Sequence, residues 1–277
     1  MVTVETHSRS ADTATVHSAA AAVGGTQAGS RPAVVYSIGT RIGGGGIGDV
    51  AAQAVQGLLE QGMLQRLLVL DGEISGVADR TARFPARLVR NRVANRFLSD
   101  PWRDSLFDRW AARRLKGCDA VYGWACHSLR CLQQARRYGA VTLIDRGSAE
   151  ARTQQRLLAE EFRSHGLGDG PMSDSTVRRM LAEYAETDCI VVPSTFVYET
   201  FRAAGHPEGR LFINPLGVDV HRFRPPASWD GRFRVVFLGH VSLQKGAVYL
   251  LRAWRRLNLP DAELVLVGPA ESATRHI

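Results

Sequence analysis

From Pro32 onward, short apolar runs alternate with amphipathic stretches along the chain. This alternation is typical of βαβ units and of a mainly parallel sheet. The apolar runs predict eight strands: Ala33–Ser37, Arg66–Leu70, Ala120–Trp124, Val141–Ile144, Cys189–Val192, Leu211–Asn214, Arg234–Leu238 and Glu263–Val267. The amphipathic stretches predict six helices: Gly48–Glu60, Ser128–Tyr138, Gln154–His165, Ser175–Glu186, Phe196–Ala203 and Ala247–Leu257. The predicted fold class is α/β with a doubly wound parallel sheet.

The sequence divides into four segments. Residues 1–31 are predicted to be a disordered tail, because Ala, Ser, Thr and Gly dominate there without a helical or strand period. Residues 32–219 are the predicted first domain, and residues 220–230 have the proline-bearing composition of a linker. Residues 231–277 supply one strand, helix and strand, which cannot cover both faces of a parallel sheet. We therefore expect this last segment to be an incomplete second domain: either the chain is a fragment, or another segment or subunit completes the domain.

Composition limits the predicted cellular location and the predicted binding partners. The first residues lack the uninterrupted apolar stretch of a signal peptide, and no later run is long enough to span a bilayer. We predict a cytoplasmic protein. The net charge of +8 favours an anionic partner. The four cysteines form no CxxC pair and have no ligand-spaced histidines, so we expect reduced, mostly buried thiols and no metal.

A glycine-rich turn, Gly43–Gly48, connects the first predicted strand to the first helix. Glycines at such a turn let the backbone approach an anion, while the helix N-terminus offers free N–H groups. The turn therefore predicts a phosphate site, although a simple chain reversal has the same composition. An NAD-dependent oxidoreductase stays an alternative if Asp71 closes the second strand as the ribose ligand.

The most specific motifs lie between Cys189 and Gly246. In order they are Val192-Pro193-Ser194, then Ile213-Asn214-Pro215-Leu216-Gly217-Val218-Asp219, then Phe223-Arg224-Pro225, and finally Phe237-Leu238-Gly239-His240-Val241-Ser242-Leu243-Gln244-Lys245-Gly246. This succession resembles family-four glycosyltransferases of the GT-B fold, whose two Rossmann-like domains face each other across a cleft. The resemblance runs from Pro32 to the end. It implies a Rossmann-like N-terminal domain followed by the first β-α-β unit of a second Rossmann-like domain.

The resemblance implies transfer of a sugar from a nucleoside diphosphate sugar to an acceptor hydroxyl, with retention of configuration and no cofactor or obligatory metal. Lys245 matches the family's diphosphate-binding lysine, and His240 stands where the family has an arginine. Gly239, Gly45 and Gly46 complete the predicted diphosphate site. The family's later Glu-x7-Glu pair is not within 231–277, so we expect a fragment that is inactive alone. The alternative is a non-catalytic binding or regulatory chain.

The acceptor side is predicted further upstream. Asp145-Arg146-Gly147-Ser148 resembles a branch of the family associated with bacterial polysaccharide or glycolipid synthesis, which has a histidine shortly afterwards. Residues 149–152 have no histidine here, so either Glu150 replaces it or the site has drifted. Arg146 and Glu150 are the predicted catalytic residues. His127, at the end of a predicted strand, either faces the cleft or is structural.

The segment Asp79–Lys116 carries ten arginines and one lysine against four aspartates. Val89, Val93 and Phe97 recur there at helical spacing. The segment predicts either a peripheral contact with an anionic membrane or phosphorylated acceptor, or a solvated helical face. No nucleic-acid partner is expected, because no reading module is recognisable.

Overall fold

A computed structural model describes residues 31–85, 100–221, 223–225, 228 and 230–271 of the protein. The predicted tail over 1–30 and the apolar positions Val89, Val93 and Phe97 lie outside the described residues. The described strands are β1 Val34–Arg41, β2 Leu64–Asp71, β3 Thr81–Arg83, β4 Ala120–Trp124, β5 Val141–Asp145, β6 Cys189–Val192, β7 Leu211–Ile213, β8 Phe233–Leu238 and β9 Ala262–Val267. The described α-helices are α1 Ile47–Glu60, α2 Asp100–Ala112, α3 Leu129–Arg137, α4 Ala151–Ser164, α5 Asp174–Glu186, α6 Thr195–Ala203 and α7 Ala247–Leu257.

Seven strands pair in the order β3-β2-β1-β4-β5-β6-β7, and β8 pairs with β9 in a separate parallel sheet. From β1 the chain first adds β2 and β3 on one side and then β4 to β7 on the other. The connections are mainly helices of the length that parallel pairing requires. This topology confirms the predicted doubly wound α/β sheet, with its switch point between β1 and β4.

All eight predicted strands and all six predicted helices are present, with ends shifted by a few residues. The largest strand difference is in β1, which continues past Ser37 to Arg41. Two elements were not predicted, the three-residue strand β3 and the helix α2. Among the residues that the structure describes, no helix combines the length and the apolar character needed to cross a membrane.

Contacts divide the chain into two compact units, Met1–Leu143 and Ile144–Ile277. The predicted domain limits, with the linker at 220–230, remain predictions. In the first unit the central strands are buried on both faces. Val35 and Leu68 pack with Phe107 of α2, whereas their strand neighbours Tyr36 and Leu67 belong to a second cluster. Because successive side chains point to opposite faces, these two clusters are the two layers of core that a doubly wound sheet needs.

The second unit is organised around β6, whose Ile190, Val191 and Val192 are buried. Tyr184 of α5 and Phe201 of α6 meet edge to face at 5.0 Å between ring centroids. Arg210 donates to the carbonyl oxygens of Tyr184 and Thr187, which ties the loop before β7 to the end of α5. By contrast, the apolar side chains of the two-stranded sheet are largely exposed, among them Phe233, Val236 and Leu238.

The entry into α1 depends on a close approach of two backbone segments. Gly48 is buried in the first turn of the helix, and a Cβ built there would overlap the carbonyl oxygen of Arg41, the last residue of β1. The Gly43 amide donates to the Gly48 carbonyl at 3.0 Å and closes the turn. No side chain fits between the strand end and the helix start.

We expect Gly48→Ala to lower the free energy of unfolding by about 1–3 kcal/mol, because the new methyl group must displace packed backbone. Gly57→Ala is the matched control. Gly57 is exposed in the same helix and its Cβ would meet nothing within 4 Å, so alanine should stabilise by about 0.5–1 kcal/mol. Urea unfolding of both variants measures the difference. Equal effects of the two substitutions would contradict the close approach.

Candidate functional site

The Gly43–Gly48 turn stands at the carboxyl end of β1 and is exposed over residues 43 to 47. Gly46 occupies the helix N-cap position with φ 56° and ψ −126°, a conformation that strongly favours glycine. The amides of Gly44, Gly46 and Ile47 donate to no acceptor among the described residues. These are the groups that helix N-termini offer to anions. The Gly45 amide differs, because it donates to Asp49 Oδ1 at 3.2 Å.

A hollow of about 400 Å³ opens beside this turn, at the carboxyl ends of β1, β2 and β3. We call it the strand-end hollow; its charged lining residues are Arg41, Asp71, Glu73 and Arg83. Arg83 is engaged by Glu73, with Nη2 and Oε1 2.6 Å apart. The Arg41 guanidinium has no hydrogen bond or ion pair with the described residues.

Arg41 was not singled out from the sequence, although it lies beside the turn. A Cβ built on Gly44 would be 3.2 Å from Cγ and Cδ of Arg41, so the arginine stem passes close to the glycine backbone. Ligands of open α/β sheets bind at such carboxyl ends. The turn and Arg41 together present free N–H groups and a cation on one edge of the sheet.

A second glycine loop, Gly239–Gly246, connects β8 to α7. The Gly239 amide donates to Val267 O at 2.9 Å, and the Val241 amide donates to Pro269 O at 2.8 Å. Gly268, at φ 141°, passes so close to Gly239 that a Cβ there would overlap the Gly239 carbonyl oxygen. These contacts fix the loop against the end of β9.

The predicted diphosphate ligands of this loop are both exposed. Lys245 immediately precedes Gly246, the left-handed N-cap of α7, and His240 follows β8 by two residues. Neither side chain makes a hydrogen bond or ion pair with the described part of the chain. The structure therefore leaves the Lys245 ammonium and the His240 ring open to a ligand.

The Arg146 guanidinium makes its hydrogen bonds within its own loop and with the helix that follows. It donates to Ala149 O through Nε at 3.2 Å and through Nη2 at 2.9 Å, and it also donates to Gln154 Oε1. Its amide donates to Val191 O of β6 at 2.9 Å. These bonds hold the chain between β5 and α4 in one conformation.

Glu150 is the N-cap of α4 and is only 1% exposed. Its Oε2 accepts from the amides of Arg152 and Thr153, each at 3.0 Å, and its own amide donates to Thr200 Oγ1. Oε1 is buried and has no hydrogen-bond partner in the described structure. No hydrogen bond or ion pair joins Glu150 to Arg146 within the residues described.

The neighbourhood of Glu150 includes one histidine. His206 packs edge to face on Tyr184 and Phe201, at 5.6 and 5.1 Å between ring centroids. Burial lowers the pKa of His206, and the charge of Glu150 acts in the opposite direction. His206 is therefore a poorer proton acceptor than an exposed histidine at neutral pH.

His127 packs its ring on Gly39, where a Cβ would lie 2.8 Å from Cγ, and Nε2 is 3.8 Å from Asp104 Oδ1. Its side chain is 12% exposed. These contacts favour the structural interpretation of the residue.

In the described ranges, the cysteines and the potential metal ligands supply no reactive group. Cys118 and Cys131 are buried, and none of the four cysteines, all of which are described, forms a disulfide. Burial, followed by the charge of Asp188, raises the pKa of Cys189 to about 11, so its thiol stays protonated at neutral pH. Among the described side chains, no group of three or more His, Cys, Asp or Glu could hold a metal ion.

Comparison with known proteins identifies a shared fold but no sequence family. No protein-family model matches the chain, and no curated protein matches it significantly in sequence. The HepE protein of Anabaena, solved in complex with UDP and glucose, superposes with a TM-score of 0.55 at 12% identity, over 89% of this chain and 63% of that one. The lipopolysaccharide outer core galactosyltransferase WaaB, in its apo form, gives 0.49 at 11% identity, over 88% and 62%. A UDP-glucosyltransferase of Polygonum tinctorium gives 0.44 at 12% identity, over 87% and 72%.

The likeness to HepE shows that this chain has the Rossmann-like α/β fold of GT-B glycosyltransferases. The chain spans less than two thirds of the length of the HepE and WaaB structures.

We expect Glu150→Ala to lower the free energy of unfolding by about 1–2 kcal/mol, since two helix amides lose their acceptor inside the protein. Glu150→Gln keeps an oxygen for those amides and should cost less. Ser173→Ala is the matched control, because Ser173 caps α5 at an exposed position. Chemical denaturation compares the three variants. A Glu150→Ala protein as stable as the parent would show that the cap contributes nothing.

Proposed function

We propose that this chain is the acceptor-side domain and the first part of the donor-binding domain of a nucleoside-diphosphate-sugar-dependent glycosyltransferase. Lys245 and His240 bind the donor's diphosphate, and the Gly43–Gly48 turn provides a second phosphate-binding backbone. The observation that carries the proposal is the open Lys245 side chain beside a glycine loop at the carboxyl end of a parallel strand. The GT-B fold supports it, as does the HepE complex, which was solved with UDP and glucose.

The reaction follows from what a diphosphate leaving group requires. The bond between the sugar's anomeric carbon and the diphosphate oxygen breaks, and the acceptor hydroxyl oxygen forms the new glycosidic bond. The acceptor's proton passes to the departing diphosphate. Negative charge grows on the departing diphosphate. A compact ammonium such as that of Lys245 stabilises this charge more in the transition state than in the substrate. The proposed reaction retains the configuration at the anomeric carbon and uses no cofactor or obligatory metal.

We place Arg146 and Glu150 on the acceptor side in this proposal. Their side-chain hydrogen bonds are all to the loop and the first turns of the helix that follow β5, so we infer that they position this segment at the sheet edge where acceptors bind. A glycan or lipid-linked acceptor in bacterial polysaccharide or glycolipid synthesis fits the basic character of the chain. A peripheral membrane contact through Asp79–Lys116, on the inner face of the membrane, belongs to the same proposal.

The lysines of this chain allow a direct test, because there are only two, Lys116 and Lys245, and both are exposed. Acetylation of intact protein, followed by mass spectrometry, reports both rates in one sample. A bound nucleoside diphosphate sugar should slow acetylation of Lys245 by about tenfold at ten times its Kd, since about a tenth of the sites are then empty. Lys116 should react at an unchanged rate. The compounds tested are UDP-, GDP- and ADP-sugars, together with NAD, which tests the oxidoreductase alternative.

Thermal unfolding gives the second readout. The protecting nucleotide sugar should raise the melting temperature by several degrees at saturation. Lys245→Ala should abolish that increase, whereas Lys116→Ala should keep it. If no nucleotide sugar protects Lys245 or shifts the melting temperature, the donor-site proposal is wrong. Protection by NAD alone would favour the oxidoreductase.

A further inference from the structure

A second cationic site lies between α2 and α3, in the first unit and apart from both glycine loops in the sequence. A hollow of about 330 Å³ is lined there by Arg109, Arg113, Arg130, Arg137, Gln133 and Gln134. We call it the arginine hollow. No carboxylate is among its lining residues.

The two helices that form the hollow are joined by a buried carboxylate. Asp108 of α2 is fully buried, and it accepts from the amides of Arg130 and Cys131 at 2.8 and 3.0 Å. This interaction caps the N-terminus of α3 with a side chain from α2. The walls of the hollow are therefore held at a fixed separation at this end.

The polar lining is a continuous stripe of α3. Arg130, Gln133, Gln134 and Arg137 have the i, i+3, i+4, i+7 spacing that places side chains on one helix face. The opposite face is buried in the core through Cys131, Leu132 and Ala135. From α2 and the residue just beyond it, Arg109 and Arg113 complete the rim.

The guanidinium groups of the hollow form no ion pair that links them to a described carboxylate. The side chains of Arg109, Arg113 and Arg137 make no hydrogen bond with described residues, and the Arg130 guanidinium donates to Gln133 Oε1 at 3.5 Å. Four guanidinium groups around one cavity repel one another, and a bound anion would relieve that repulsion. Guanidinium groups bind phosphate through paired N–H bonds, and the glutamine amides add neutral donors.

We propose that the arginine hollow is a binding site for a phosphate group, separate from the donor site. A volume of about 330 Å³ accommodates a diphosphate or the phosphate of a larger molecule. Two sources share this chemistry, a soluble phosphorylated compound and a phospholipid headgroup. The lining arginines include two from Asp79–Lys116 and two from α3, so the site is not a property of that basic segment alone.

The test uses inorganic pyrophosphate as the probe, titrated calorimetrically into the full chain carrying Lys245→Ala. The Lys245→Ala background separates the hollow from the donor site. The double variant R113Q/R137Q removes two exposed arginines of the hollow and should weaken pyrophosphate binding at least about tenfold. The control is R255Q/R256Q, which removes the same charge from exposed arginines of α7 and should change affinity less than about twofold.

Vesicles distinguish the two sources. Sedimentation with phosphatidylcholine vesicles, with and without phosphatidylglycerol, is measured for the same three proteins. Binding to the anionic vesicles that R113Q/R137Q abolishes and R255Q/R256Q retains identifies a lipid headgroup, and pyrophosphate binding with no such vesicle dependence identifies a soluble phosphate. If the parent chain binds neither probe, or if both double variants lose binding equally, the site is refuted. Circular dichroism confirms that each variant is folded, and the single R137Q replaces any double variant that is not.

Discussion

The organisation of the first glycine turn depends on how closely the backbone of β1 approaches the backbone of α1. Gly48 has no side chain, and therefore the first helical turn rests directly on the carbonyl oxygen of Arg41. The same strand end is approached from the other side by Gly72, where a Cβ would meet Ile42 O at 2.5 Å. With both neighbours this close, the residues between Gly43 and Gly48 stay exposed at the surface. The amides of Gly44, Gly46 and Ile47 have no acceptor among the described residues, and the Arg41 stem lies beside Gly44.

Sequence patterns were sufficient for the sheet because buried parallel strands are apolar on both faces and their crossovers are amphipathic. They failed for α2, whose buried positions Phe107 and Ala111 form a narrow stripe among aspartates and arginines. They also failed for β3, which is only three residues long and lies at the sheet edge. Arg41 was missed for a related reason. Gly39 interrupts the apolar run, so the strand was predicted to stop at Ser37, and the residue beside the turn was left unassigned.

The proposed acceptor-side residues illustrate what a motif can and cannot predict. Arg146 and Glu150 were chosen because their residue types and positions resemble those of a family's acceptor loop, and the structure does place them directly after the carboxyl end of β5. A sequence cannot show which partners a polar side chain will choose. Arg146 is committed to the Ala149 carbonyl, and one oxygen of Glu150 is committed to the amides of α4. Hydrogen bonds of this kind fix a loop, and a fixed loop is a precondition for orienting an acceptor hydroxyl.

The distribution of cation types gives a physical reason to treat the two proposed anion sites differently. Arginine predominates throughout this chain, yet the cation next to the second glycine loop is one of only two lysines. A guanidinium fork matches the geometry of a phosphate that stays bound, whereas an ammonium on a flexible stem can follow charge that moves during a reaction. Four guanidinium groups around one hollow with no carboxylate in its lining favour tight, geometry-specific binding of a phosphate. An isolated lysine beside a helix N-terminus favours instead a ligand whose charge increases as a bond breaks. This difference supports the proposed assignment of catalysis to the Gly239–Gly246 loop and of binding to the arginine hollow.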